Sequence, residues 1–217
     1  MLLTRLGAGL RRPGNLARTC SAASTRGPGV TFTTGRGDRD KRDRERAYPK
    51  LPQVTVGVVV LKEDDLGGVP RAMLVERKND PAKNTFAFPG GRLNLGESLQ
   101  DCARREVREE SNVELCASFP LELVTTIEHV SRDDEGDVKF HYVIVEFVGL
   151  AAKGSREIPG DDAASIDWAS LDELWDKNIL DKKAHEDVMR KALEIYRERR
   201  NPKPHHHHHH CKSVKQN

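Results

Sequence analysis

Residues 54–61 read VTVGVVVL, β-branched and almost wholly apolar, the pattern of a strand buried on both faces. Residues 72–77 predict a second strand, set off from the first by an acidic, glycine-containing loop at 64–68. A polar loop over 78–84 then leads through FAFP at 86–89 into the pair Gly90-Gly91. After that pair the period changes. Leu99, Ala103 and Val107 recur at helical spacing and predict a helix over 98–111, with Ser98 as its N-cap and Asp101 three positions on. Strands are expected at 121–127 and 140–147, with the turn between them at 132–137. Ser170 and Glu173 have the spacing of a capping box for a short helix through Trp175. Val188, Ala192, Ile195 and Tyr196 align on one side of a last helix over 184–199. Helices interspersed with hairpin-like strands imply an α+β domain with a central mixed β-sheet between helical layers.

The polar face of the first helix carries the chemistry. Glu106, Glu109 and Glu110 stand at i, i+3 and i+4, so their side chains project from one side of the helix, away from the apolar stripe. Like charges at that spacing weaken a helix by roughly 0.2–0.5 kcal/mol per pair, which suggests a compensating cation. Carboxylate oxygens suit a hard ion such as Mg2+, which completes its shell with water and substrate phosphate oxygens. The competing reading is an ordinary charged face, paired to Arg104, Arg105 and Arg108.

The full run, GRLNLGESLQDCARREVREESNV at 91–113, sets Gly91, Glu97, Arg105-Glu106-Val107, Glu109-Glu110 and Asn112-Val113 at fixed spacing. It resembles the Nudix box. One position departs from the family's pattern, because Asn112 stands where the family usually has glycine; asparagine is the usual substitute in the left-handed conformation of a helix C-cap. The resemblance implies an α/β/α sandwich and a metal-dependent pyrophosphohydrolase. It assigns Glu106, Glu109 and Glu110 to binding Mg2+ or Mn2+, with Gly90 at the position of a backbone-carbonyl ligand. Glu106 and Glu109 would also belong to the catalytic set, and Glu106 is the candidate to orient or deprotonate the attacking water. Gly91, Glu97, Arg105 and Asn112 would be structural, Glu97 pairing with Arg105 to support the turn. Asp162, six residues before Trp168, is the expected acidic contribution from a later loop, with Asp161 as the fallback.

The flanking segments, from PGG through FHYVIVEF to GDDAASIDW, look like the bacterial-type ADP-ribose pyrophosphatase subgroup. That likeness implies cleavage of ADP-ribose to AMP and ribose 5-phosphate. The chain lacks the proline that follows the box in some ADP-ribose enzymes and the SQPWPFP run of NADH pyrophosphatases. Removal of damaged nucleoside triphosphates is therefore an alternative, and a nucleotide-sensing module without catalysis is a second. An intact glutamate set argues against the sensor. Arg77 and Phe86 are candidate substrate contacts, for phosphate and base respectively, although core packing is the commoner use of Phe86 or Phe88. His141, within a strand, is expected to be a hydrogen-bonded strand histidine.

Charge is unevenly divided. The net +2 of the 217 residues conceals a body, 51–200, with 21 basic and 30 acidic residues, a balance of −9. Non-specific nucleic-acid binding runs on neutralisation of phosphates by Lys and Arg, so a small nucleotide is expected as partner and a polynucleotide is not. The apolar runs are too short for a membrane span, and a homodimer is left open. Residues 1–37 hold six arginines and no acidic residue, the composition of a mitochondrial or plastid transit peptide; a cytoplasmic location follows if that reading fails. Residues 38–46 read as a charged linker, which places one domain at 51–200. Residues 201–217, with histidines at 205–210, read as a disordered tail excluded from the site.

Overall fold

The computed structural model describes residues 47–63, 68–78, 82–160 and 162–201. The transit-peptide-like segment, the linker, the histidine run and Asp161 lie outside the described residues.

The elements follow in the order β1 (Gln53–Lys62), β2 (Arg71–Arg77), β3 (Phe86–Ala87), β4 (Gly90–Arg92), α1 (Leu99–Ser111), β5 (Glu122–Arg132), β6 (Val138–Leu150), β7 (Ala163–Ala169), a 3-10 turn (Asp172–Asp176) and α2 (Lys182–Arg200). β1 is central. One edge of β1 pairs in parallel with β6, from Gln53↔Tyr142 to Leu61↔Leu150. Its other edge is shared: Leu61 and Lys62 pair with β2, while Thr55, Val56 and Gly57 pair with Arg92, Gly91 and Gly90 of β4. β1 and β2 therefore diverge, and the short β3 and β4 fill the wedge. β5 and β6 form an antiparallel hairpin, and β7 closes the far edge against β2.

The uninterrupted apolar run of β1 is explained by a core on each face. Val56, Val58 and Val60 pack with Cys102, Ala103 and Val107 of α1, together with Met73 and Phe147. Val59 and Leu61 point the other way, into a second core with Leu74, Val148, Leu150 and Val188, Met189, Ala192 and Leu193 of α2. Two helices on opposite faces of a mixed sheet make the α/β/α sandwich expected from the pattern.

The helix boundaries follow their caps. The Ser98 hydroxyl accepts the Asp101 amide at 3.1 Å, starting α1, and Asn112 ends it in the left-handed conformation at φ 57°, its amide bonding to the Arg108 carbonyl. Ser170 and Glu173 make the reciprocal capping contacts, but they cap the 3-10 turn rather than an α-helix. The β5–β6 hairpin is longer than its apolar residues suggest, because polar cross-strand pairs such as His141 Nε2 with Glu128 Oε1, 3.0 Å, continue the ladder beyond them. β7 has no counterpart among the strands expected from the sequence. Its AASIDWA lacks a clear alternation, and the element exists because β2 has a free edge for it to pair with.

Candidate active site

The site is built where α1 meets the wedge of the sheet. Gly91 lies against the Glu106 side chain so closely that a Cβ there would sit 2.4 Å from the carboxyl carbon. Gly90 is equally constrained, since a Cβ would lie 2.2 Å from the Val56 carbonyl oxygen. Only glycine admits this approach of turn to helix. It brings the Gly90 amide within 3.1 Å of Glu110 Oε2, and the amide donates to the carboxylate.

The three glutamates have different environments. Glu109 is exposed, whereas the Glu106 side chain is only 13% exposed. Burial raises the Glu106 carboxyl above the usual range, against the opposing pull of Arg105. Glu110 is pushed up to about 8, first by burial and then by the charge of Glu106, while the Gly90 amide and the nearby Arg77 draw it down and Asp162 adds to the rise. A carboxylate held this close to like charges in a shielded position is destabilised unless a cation joins it. Among the described residues no three His, Cys, Asp or Glu side chains already converge as a finished metal cage. The donor set is nevertheless all hard oxygen, anionic and crowded against glycine backbone, and so fits a divalent cation such as Mg2+ or Mn2+.

Arg105 organises this face. Its guanidinium donates to Glu97 through Nε at 2.7 Å and Nη2 at 2.9 Å, to the Arg92 carbonyl at 3.0 Å, to Glu106 at 2.6 Å and to Glu109 at 3.3 Å. The bidentate contact holds the Glu97 carboxyl down at about 2. Glu97 also accepts the Asn94 amide at 3.0 Å, which fastens the loop before α1.

A second loop reaches the same helix from the far side. The Ile158 amide bonds to the Ser111 carbonyl and the Gly160 amide to that of Glu110, each at 2.9 Å, satisfying acceptors that the end of α1 leaves open. The contact is so close that a Cβ on Gly160 would stand 1.9 Å from the Glu109 carbonyl oxygen. This docking brings Asp162, exposed, into electrostatic range of Glu110. Arg77, the last residue of β2, is drawn to the same place as the neighbouring Lys78 amide bonds to the Asp162 carbonyl at 3.2 Å.

The fold thus gathers Gly90, Gly91, Glu97, Arg105, Glu106, Glu109, Glu110, Arg77 and Asp162 into one region. Phe86 lies beyond it, half-buried at the wedge with Lys177 Nζ 5.9 Å from its ring centre. Phe88 is a core residue, its ring 5.1 Å from that of His185. Sequence reading missed Gly160, whose role depends on a contact with α1 across about 50 residues, and Glu146, a buried acid in β6.

Comparison with known proteins places this fold and site among relatives. A family model described as the NUDIX domain matches residues 51–192. An ADP-ribose pyrophosphatase of Methanocaldococcus jannaschii is 28% identical over 151 residues, covering 69% of this chain and 81% of the relative. An ADPR-responsive transcriptional repressor of Acinetobacter baylyi is 33% identical over 91 residues, which span 34% of its own length. Among solved structures, the NUDIX domain of Shewanella oneidensis NrtR complexed with ADP ribose superposes with TM-score 0.54 at 23% identity, over 68% of this chain and 90% of that one. A MutT/nudix family protein of Enterococcus faecalis gives 0.55 at 22%, over 76% and 70%. Both share the fold described above.

Proposed function

The chain belongs to the Nudix family and is a Nudix pyrophosphohydrolase, and from that premise we propose that its substrate is ADP-ribose, cleaved between the phosphates to AMP and ribose 5-phosphate. The observation that carries the reading is the gathering of Glu106, Asp162, Arg77 and the Gly90 amide around the Glu110 carboxylate. The substrate is supported by the M. jannaschii relative, which matches along most of its own length and is named for that activity.

In this reading Glu106, Glu109, Glu110 and the Gly90 carbonyl hold Mg2+ or Mn2+. Bound there, a divalent cation would neutralise phosphate oxygens and make water a better nucleophile near neutral pH. The chain's own groups do the rest. Arg105, clamped by Glu97, fixes the directions of Glu106 and Glu109, so the carboxylates do not have to reorganise when substrate arrives. Arg77 offers a fixed positive charge to a phosphate. Water oxygen bonds to one phosphorus as the bridging P–O bond breaks. The water's proton passes to a carboxylate, for which this reading offers Glu106 or Asp162.

Residues 1–37 are assigned to targeting, to a mitochondrion or plastid, on composition alone, and residues 38–46 to a charged linker. The acidic body disfavours a polynucleotide partner, and the repressor relative, matched over a third of its length, supports only a shared nucleotide-binding domain.

The deciding experiment is a panel assay with Mg2+ or Mn2+ against ADP-ribose, NADH, dinucleoside polyphosphates and oxidised dGTP. We expect kcat/KM for ADP-ribose to exceed that for any triphosphate at least about tenfold, ~1.4 kcal/mol of transition-state preference. A faster oxidised triphosphate would replace the ADP-ribose assignment with removal of damaged nucleotides and leave the hydrolase assignment standing.

A further inference from the structure

Glu146 is an acid where the fold has no structural use for one. It lies in β6 with only 7% of its surface exposed, and its Oε2 is buried without a hydrogen-bond partner. Unpartnered buried polar groups are rare and costly, and each calls for an explanation. Burial is the one cause that pushes its carboxyl up to about 7.

Its position is set by register. Glu146 stands opposite Gly57 in β1, and Gly57 stands opposite Gly90 in β4. Since Val56 and Val58 face α1, Gly57 faces the α2 layer, and the Glu146 side chain shares that face. A Cβ on Gly57 would fall 2.3–2.7 Å from the Glu146 carboxyl atoms, so the glycine is what lets that carboxyl lie across β1. A Cβ on Gly90 would come within 2.9 Å of the Gly57 Cα. The Glu146 backbone is two strand spacings, about 10 Å, from β4, and its carboxyl, lying over Gly57, is one spacing nearer.

The same face continues away from α2 as a shelf. The α2 side chains pack over Val59, Leu61, Val148 and Leu150. In the other direction from Glu146 the next paired positions are Thr55 with Ile144, then Gln53 with Tyr142, and Thr55, Ile144 and Tyr142 are half-buried. Phe140 stacks near Tyr142 with ring centres 6.0 Å apart. The strip sets Ile144 and the Tyr142 ring beside Thr55 and Gln53 and ends at the buried Glu146 carboxyl, a mixture of flat apolar surface and polar atoms that suits a planar ligand with a polar edge.

We propose that Glu146 is a specificity-determining residue that reads the amino edge of an adenine lying on the Thr55–Ile144–Tyr142 shelf. The proposal rests on the nucleotide-diphosphate reading above. A protonated carboxyl presents one donor and one acceptor side by side. Adenine presents the matching pair, with its ring N1 accepting and its exocyclic amino group donating. A hydroxyl-bearing sugar at the same place would lack that planar two-point match.

The test compares ADP-ribose with the analogue that carries purine in place of adenine, lacking only the amino group, on the full chain with Mg2+. Wild type is expected to favour ADP-ribose in kcat/KM at least about tenfold, since the analogue leaves a buried acceptor unpaired. Glu146→Gln, an isostere of the neutral acid, should keep that ratio within about threefold; Glu146→Met should bring it to within about twofold of unity. A ratio that survives in Glu146→Met overturns the proposal, as does an equal loss on both substrates, which would mark a sugar contact. Should wild type fail to cleave ADP-ribose, the substrate reading falls separately. The same ratio is then read from binding of ADP and purine riboside 5′-diphosphate with Mg2+, and an unchanged ratio in Glu146→Met overturns the proposal there too. Thermal unfolding of each variant confirms that it is folded.

Discussion

The Gly90 amide donates to Glu110 Oε2 across 3.1 Å, tying the turn that precedes the catalytic helix to an acid on the helix's last turn. This contact fixes the acid's direction without neutralising it. The Glu110→Gln variant keeps a carbonyl oxygen for the Gly90 amide and loses only the charge, and Glu109→Gln loses charge at an exposed position. Both should fold, and each should lose at least about 10²-fold in turnover, the scale of removing one electrostatic stabiliser. Near-normal turnover of both at saturating Mg2+ would remove these residues from the metal site.

The raised Glu110 carboxyl makes a prediction about stability and pH. Its folded value of about 8 lies above the ordinary 4.5. Stability from this group is therefore fully present below pH ~4.5 and is lost as pH rises through 8. With chelator present, thermal stability should fall between pH 6 and 9 more steeply in wild type than in Glu110→Gln. Added Mg2+ or Mn2+ should restore it in wild type, because a ligand that binds only the folded state stabilises it. Identical pH slopes for the two proteins would show that Glu110 is not held against its ionised form.

Asn112 occupies the left-handed cap with φ 57°, and its Nδ2 also donates to the Arg156 carbonyl at 3.2 Å. Glycine at this position relieves backbone strain and loses that bond, so Asn112→Gly should stay within about 1 kcal/mol of wild type. Asn112→Val must carry a branched Cβ at positive φ and should cost roughly 1–2 kcal/mol more. Denaturant unfolding measures the contrast, and equal stabilities would contradict the cap geometry.

Much of this site is local in sequence, which is why it was legible there. Gly90 to Asn112 is one turn and one helix, and helical periodicity places Glu106, Glu109 and Glu110 on one face without tertiary information. The N-cap at Ser98 and the Glu97–Arg105 pair belong to the same short span. What escaped was set by register and docking. Nothing in FHYVIVEFVGL says that Glu146 stands over a glycine 89 positions earlier, because that depends on the parallel pairing of β1 with β6. β7 was hidden for a related reason: its existence depends on the free edge of β2 more than on its own composition.

Residues 1–46 are expected to be dispensable for catalysis, as they precede the family match, with an acid-free, arginine-rich composition over 1–37 and a charged linker at 38–46. A chain beginning at Ala47 should keep kcat/KM within about twofold of the full chain, a difference under ~0.5 kcal/mol. A drop of tenfold or more would place part of that segment at the site.

Gly160 offers the sharpest separation between fold and site. Its amide caps the Glu110 carbonyl, and an added Cβ would collide with the Glu109 carbonyl oxygen at 1.9 Å. Backbone cannot yield as a flexible side chain does, so in Gly160→Ala the loop must retreat from the helix and carry Asp162 with it. Overpacking of this kind typically costs about 1–3 kcal/mol, leaving most domains folded at 25 °C. If Asp162 acts at the site, Gly160→Ala should lower turnover at least about tenfold, with a raised Mg2+ requirement shared by Asp162→Asn. The double variant then decides the matter. Displacing a carboxylate that has already been neutralised should add little, so the two losses should combine to less than their product. Full multiplicativity would mean that Gly160 acts through the end of α1 and not through the placement of Asp162.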